Sequence, residues 1–279
     1  MADVLQRFRE AVAPERVKID LAEAALLCAQ DVYPDLDIRS HLDSIESIAS
    51  TLKSRLPADF SVTHRLLVLN NYLFQELGFS GDSDSYYDPR NSFLNDVLAR
   101  KTGIPITLSI LYLEVGQRLG LKLKGVSFPG HFLVKVRVTG GELVLDPYAQ
   151  GRSLSEEELR ERLAQFTDPG TAKDLPLEDF LEAASPRQIL ARLLRNLKAI
   201  YLESKEFDKA LCVMQRLVIL LPEVPEERRD RGLVYARLEC PRAALDDLSH
   251  YAMARPEAED AEHIASQLAA MTIAAARLN

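Results

Sequence analysis

Residues 103–147, GIPITLSILYLEVGQRLGLKLKGVSFPGHFLVKVRVTGGELVLDP, constrain the fold more than any other stretch of the chain. From Ile106 to Leu119 the residues are apolar nearly all round, so the helix they predict must be buried. Gly120 closes that helix, and the period then changes. Phe132, Val134, Val136 and Val138 alternate with His131, Leu133, Lys135 and Arg137, the pattern of a strand with one core face. Leu143 and Leu145 extend that core face, leaving Glu142, Val144 and Asp146 on the His131 side. The stretch therefore predicts a buried helix packed on an antiparallel hairpin, in an α+β domain.

Helices precede it. Asp20 to Glu23 form a capping box that opens a helix through about Asp31, ended by Tyr33-Pro34. Ile38, Leu42, Ile45, Ala49 and Leu52 repeat every three or four residues, a second amphipathic helix stopped near Pro57. A third runs from about Thr63 to Leu77, with Gly78 as its C-terminal cap. Residues 79–92 read as a polar loop, and Phe93 to Lys101 as a short helix. After Tyr148 the chain is helical again, beginning at the capping box Ser155 to Glu158. Residues 167–179 are rich in Pro and Asp and mark a boundary. The expected organisation is a first domain over 1–168, a linker over 169–184 and a helical array over 185–279.

That array repeats at 34 residues. Tyr201 matches Tyr235, Ala210 matches Ala244, Leu211 matches Leu245 and Pro222 matches Pro256. Each unit reads as helix, short turn, helix, proline, with a small Ala where paired helices must approach closely. The period and pattern resemble tetratricopeptide repeats. Arg192, Arg195 and Lys198 share one first helix, and Arg228, Arg229 and Arg231 the next. In a chain of net charge -8 this local excess points to an acidic or C-terminal carboxylate ligand. A solvated helix face is the alternative.

Composition narrows the function. The acidity argues against nucleic acid, whose binders present a basic face. No run of about 18 apolar residues exists, so no membrane span is expected. The first residues lack the apolar core of a secretion signal. Cys28, Cys212 and Cys240 are odd in number and widely spaced, as expected of reduced thiols in a cytoplasm. No CxxC pair points to zinc, and neither metal nor cofactor is expected.

Three groups could carry chemistry. His131 and Asp146 share a face, and a carboxylate supporting an imidazole is the back half of a nucleophilic triad. The central helix begins Pro105-Ile106-Thr107-Leu108-Ser109, without the cysteine that a helix N-terminus would activate. Thr107 and Ser109 bring hydroxyls, which need stronger activation than a thiol. The loop Tyr86-Tyr87-Asp88-Pro89-Arg90-Asn91 either lines a pocket, with Tyr87, Asp88 and Asn91 in contact with ligand, or folds a turn capped by Asp88. Glu114 shares a face of the buried helix with Thr107 and needs a partner, because isolated charge is costly inside.

The runs GDSDSYYDPRNSFLNDVLARKTGIPITLSILYLEVGQRLGL, GVSFPGHFLVKV and LVLDPYAQG resemble the bacterial transglutaminase-like, tetratricopeptide-containing proteins known as invasion-regulator homologues. The likeness runs from about residue 20 to the C-terminus. NSFLNDVL, GIPITLS and PGHFL are its most specific parts. It implies a papain-like transglutaminase core, helices packed on a small antiparallel sheet, followed by an all-α tetratricopeptide-type solenoid. Active members use a Cys-His-Asp triad for acyl transfer or peptide hydrolysis. By this resemblance His131 stands for the histidine and Asp146 for the aspartate, while the cysteine should lie near Pro105 to Thr107. Its absence leaves two expectations. The first is a non-catalytic protein whose cleft and repeats, with Arg192, Arg195 and Arg228, bind a protein or peptide. The second is a hydrolase or acyltransferase using Thr107 or Ser109 with His131 and Asp146.

Whether His131 and Asp146 meet depends on the hairpin register. A two-residue Gly140-Gly141 turn would place Lys135 opposite Asp146. A longer loop over Arg137 to Gly140 would set Lys135 against Glu142, Leu133 against Val144 and His131 against Asp146. All three pairs are favourable across strands, so this second register is expected.

Overall fold

The computed structural model describes residues 2–13, 19–57, 59–166 and 175–277. The chain forms two compact units, Pro14–Leu193 and Leu194–Asn279, the latter joined by Met1–Ala13. Helix α1 (Ala2–Ala11) thus groups with the C-terminal unit rather than with the first domain. The reason is packing: Phe8 is fully buried, with the Arg216 guanidinium 5.5 Å from its ring centre.

The larger unit opens with α2 (Leu21–Ala29), capped by Asp20, whose carboxylate accepts the Glu23 N–H at 2.9 Å. Helix α3 (Ile38–Arg55) follows, buried along Ile38, Ile45, Ala49 and Leu52. Helix α4 (Val62–Asn70) runs straight into a π-helical segment, Asn71–Glu76. The expected third helix is therefore continuous, but its last turns are wider. Gly78 stands beyond it at φ +76, as a C-terminal glycine should.

Strand β1 (Ser80–Gly81) pairs in parallel with β2 (Thr102–Gly103). This clip closes the intervening segment, which holds a 3-10 turn at Pro89–Asn91 and α5 (Leu94–Arg100). Helix α6 (Pro105–Arg118) is then buried at every position from Pro105 to Gly116, as its uniform apolarity demands.

The main sheet has four strands in the order β3 (Lys124–Val126), β4 (Leu133–Val138), β5 (Gly141–Asp146) and β6 (Arg152–Leu154), all antiparallel. The hairpin register is neither of those weighed from the sequence. Val138 faces Gly141 across a Thr139-Gly140 turn, so Lys135 opposes Val144 and Val134 opposes Leu145. Gly140 takes the positive φ of +95, which decides which glycine occupies the turn. Side-chain faces are as expected, because the three registers differ by steps of two residues. The face carrying Leu133 and Val144 is also less polar than expected. It forms a second small core with Leu154, with Leu159 and Leu163 of α7 (Glu156–Leu163), and with Leu177. Both hydrogen bonds of the Ser155–Glu158 capping box form at the start of α7.

The expected linker lies partly outside the described residues. Its later part contains α8 (Leu177–Phe180), and Ala183 bridges Val126 at the edge of β3. Helix α9 (Pro186–Glu203) opens on the Ser185–Gln188 capping box and continues into the second unit. There α10 (Phe207–Leu220), α11 (Pro225–Arg237), α12 (Pro241–Ala254) and α13 (Ala261–Ala276) follow, each packed on the next. Ala210 and Ala244 are fully buried at matching positions. A β-carbon on Gly232 would lie 2.8 Å from Leu248, so α11 and α12 touch nearly backbone to side chain.

Candidate functional site

The turn that presents His131 is written in its residues. The His131 N–H donates to the Phe128 carbonyl at 3.1 Å, across Pro129 and Gly130, and Gly130 has φ +64. Proline first and a positive-φ glycine second are the requirements of a type II turn. His131 therefore sits two residues before β4 rather than at its first position. From there its Nε2 meets Oδ1 of Asp146 at 2.8 Å. The two do not oppose each other directly. Asp146 ends β5, and the histidine reaches it diagonally, from the turn that precedes the partner strand.

Asp146 is 1% exposed and both its oxygens accept hydrogen bonds. Besides His131, Oδ1 accepts the backbone N–H groups of Tyr148 and Ala149, at 3.1 and 3.2 Å. Oδ2 accepts from the Arg162 guanidinium at 2.9 Å. Burial alone would raise the Asp146 pKa, but the hydrogen bonds and charges of His131 and Arg162 outweigh it and hold the carboxyl below its usual range. Among the described residues the other ring nitrogen of His131, Nδ1, makes no hydrogen bond.

Tyrosines extend from the imidazole. The Tyr148 ring stands edge-on to His131 with centres 5.9 Å apart, and its hydroxyl donates to the Asp82 carbonyl. Gly81 makes room for it: a β-carbon there would lie 2.4 Å from the Tyr148 ring. Tyr86 packs edge-on against Tyr148 at 6.5 Å, and Tyr87 against Tyr86 at 5.2 Å. Tyr87 is 70% exposed. Burial pushes the Tyr86 phenol up, while the nearby positive charge of Arg192 acts in the opposite sense. His131, Tyr148, Tyr86 and Tyr87 thus form one continuous row of rings, with the charge of Arg192 near Tyr86. Sequence reasoning had the ends of this row but missed Tyr148 and Arg162. The motif Asp-Pro-Tyr carried the first; nothing local marks the second, which arrives from α7.

Other candidate residues do different work. Thr107 is fully buried, donates its hydroxyl to the Asn91 carbonyl at 2.8 Å and accepts the Ile104 N–H at 3.1 Å. Ser109 is also fully buried, with its hydroxyl 3.5 Å from the Phe132 carbonyl. Neither hydroxyl is hydrogen-bonded to His131. Asn91 is the knot of the 82–100 loop, bonded to Asp82, to the Ser85 carbonyl and to Arg100. Asp88 caps Arg90 and chelates its guanidinium. Glu114 finds its partner one turn on, in Arg118, which also binds Glu46. With Asp20 and Gln117 they border a separate cavity of about 460 Å³. Cys28 is buried in α2, and no cysteine stands at the start of α6. Among the described residues no three His, Cys, Asp or Glu side chains converge as a metal site would require, and no helix is long and apolar enough to cross a membrane.

In the repeat unit the basic residues are paired internally. Glu227 of α11, nearly fully buried, accepts from Arg195 at 2.8 Å and Lys198 at 2.9 Å. Asp247 of α12 accepts from Arg228 and, on both oxygens, from Arg231. Arg192, by contrast, has no ion pair among the described residues and belongs to the larger unit.

A helical core around one buried helix, a four-stranded sheet with a His-Asp pair, and a following array of helix pairs define a transglutaminase-like protein with tetratricopeptide repeats. The sequence matches the transglutaminase-like superfamily over residues 39–195 and the tetratricopeptide repeat over 197–269, and the chain belongs to that superfamily. It is 42% identical over 250 residues to the UPF0162 protein of Xylella fastidiosa (strain Temecula1), covering 90% of this chain and 89% of that one. It is 30% identical to the UPF0162 protein YchA of Escherichia coli (strain K12), over 90% and 92% of the two chains. Protein SirB1 of Salmonella typhimurium is 29% identical, over 89% and 91%.

Proposed function

We propose that this protein binds a peptide or protein segment without turning it over, using the surface around His131 in the transglutaminase-like unit. The observation that carries this reading is the start of α6. Pro105 stands where a thiol would be activated, and the hydroxyl of Thr107 is already bonded to Asn91 and Ile104. The His131–Asp146 pair then serves as a fixed hydrogen-bonding group, with Nδ1 toward the ligand. Tyr86, Tyr87 and Tyr148 offer rings on which an extended chain lies at low entropic cost, since tyrosine has few rotatable bonds. Arg192 receives a carboxylate of the ligand. Arg195 and Arg228 are matched by Glu227 and Asp247, so the repeats contribute shape rather than free positive charge. We place the protein in the cytoplasm, where its three unbridged cysteines stay reduced.

The test is affinity capture with wild type, His131→Ala and Tyr87→Ala side by side, each checked for an unchanged melting temperature. Partners held by wild type and lost by both variants are the expected result. Full retention by both variants overturns the assignment of the surface. Turnover of peptide or ester substrates that disappears in His131→Ala and in Thr107→Val or Ser109→Ala would replace it with a hydroxyl-dependent hydrolase.

A further inference from the structure

We propose that the outer face of α13 is a self-pairing surface, on which a second copy of this chain docks antiparallel about a two-fold axis. A helix face left to solvent ordinarily carries charged or polar side chains. This one does not. From Ile264 to Ala276 there is no charged residue. The inner side of the helix packs Ile264 and Leu268 against Leu248 and Tyr251. On the opposite side Glu262, Ser266, Ala269, Ile273 and Ala276 are all exposed, Ile273 by 57%. They are spaced four, three, four and three residues apart, the rhythm of a coiled-coil seam.

The charges at the two ends say what covers it. Glu262 stands in the first turn and Arg277 caps the last, about 22 Å away at 1.5 Å per residue. An antiparallel copy sets Glu262 against Arg277 twice, and Ile273 against Ser266 twice. Ala269 then meets Ala270 at the crossing, where small side chains allow the axes to approach to about 8 Å. Helix dipoles oppose in this arrangement, whereas a parallel pair would stack Glu262 on Glu262 and Arg277 on Arg277. The face thus carries its own complement, which is what a two-fold contact requires.

Sedimentation equilibrium of the full chain, from low to high micromolar at low salt, reads the association directly. Wild type should show a reversible monomer–dimer equilibrium. Ala269→Glu keeps a good helix former but sets carboxylates against each other at the crossing, and should leave only monomer. Glu262→Arg and Arg277→Glu alone should each weaken the dimer about tenfold, and the double exchange should restore it. All three positions are exposed, so equal melting temperatures will separate lost docking from lost folding. A wild type that stays monomeric, a dimer indifferent to Ala269→Glu, or a double exchange that fails to recover affinity would each overturn the proposal.

Discussion

Asp146 holds four donors at once, and its contribution depends on being ionised. Its folded pKa lies below the unfolded value, so the stability it adds is present above about pH 4, the ordinary carboxylate range. That stability is lost as pH falls through the lowered folded value. Asp146→Asn keeps the shape but turns one acceptor into a donor facing Arg162 or His131, and should cost about 1–3 kcal/mol at neutral pH. Urea midpoints measured across the acid range should fall steeply for wild type and more gently for the variant. Parallel curves would mean that Asp146 is not the group responsible. That His131 and Asp146 share a face was legible in the sequence from alternation, but their meeting was expected from a register the hairpin does not adopt, and the contact is made diagonally instead. Arg162 was not, since it reaches Asp146 from a helix sixteen positions on and no local pattern links them.

Elements show where sequence patterns stop short. Helix ends were readable because caps are local: Asp20, Ser155 and Ser185 all bond the residue three places on. The hairpin register was not. Adjacent glycines do not reveal which one takes positive φ, and each register in question leaves the faces unchanged. The Lys135–Glu142 pair used to choose between them does form, at 3.1 Å, but diagonally, because long side chains reach across a step of two. Gly140→Ala should therefore cost about 1 kcal/mol or more, through its φ of +95. Gly141→Ala, with open space around its β-position and no positive φ, should stay within about 0.5 kcal/mol of wild type. Denaturant titration of the two variants decides it; equal losses would reject the turn assignment. The π-helical continuation of α4 had no signature in the apolar spacing, which the sequence shows as one helix.

At the scale of the molecule, two families of structure share one chain, and the repeat unit is tied by carboxylates buried between cations. Sequence spacing found the repeat but assigned its cations to a ligand, because Glu227 lies two helices on from Arg195 and Lys198, and Asp247 one helix on from Arg228 and Arg231. Asp247→Ala strands Arg228 and Arg231 and should destabilise by about 3–5 kcal/mol. The neighbouring Asp246→Ala, at an 81% exposed side chain, should change little. Calorimetry of both variants tests this, and a small effect at Asp247 would show that water replaces the pair. The grouping of α1 with the C-terminal unit also has a bearing on biosynthesis. Phe8 packs with Arg216, which leaves the ribosome roughly 10–40 s later at about 5–20 residues per second. The transglutaminase-like unit has all its residues in hand before that interval ends, whereas α1 emerges with its apolar side bare. The repeat unit can close only after translation has passed it, so a nascent-chain chaperone has its longest opportunity at the first helix rather than at the core.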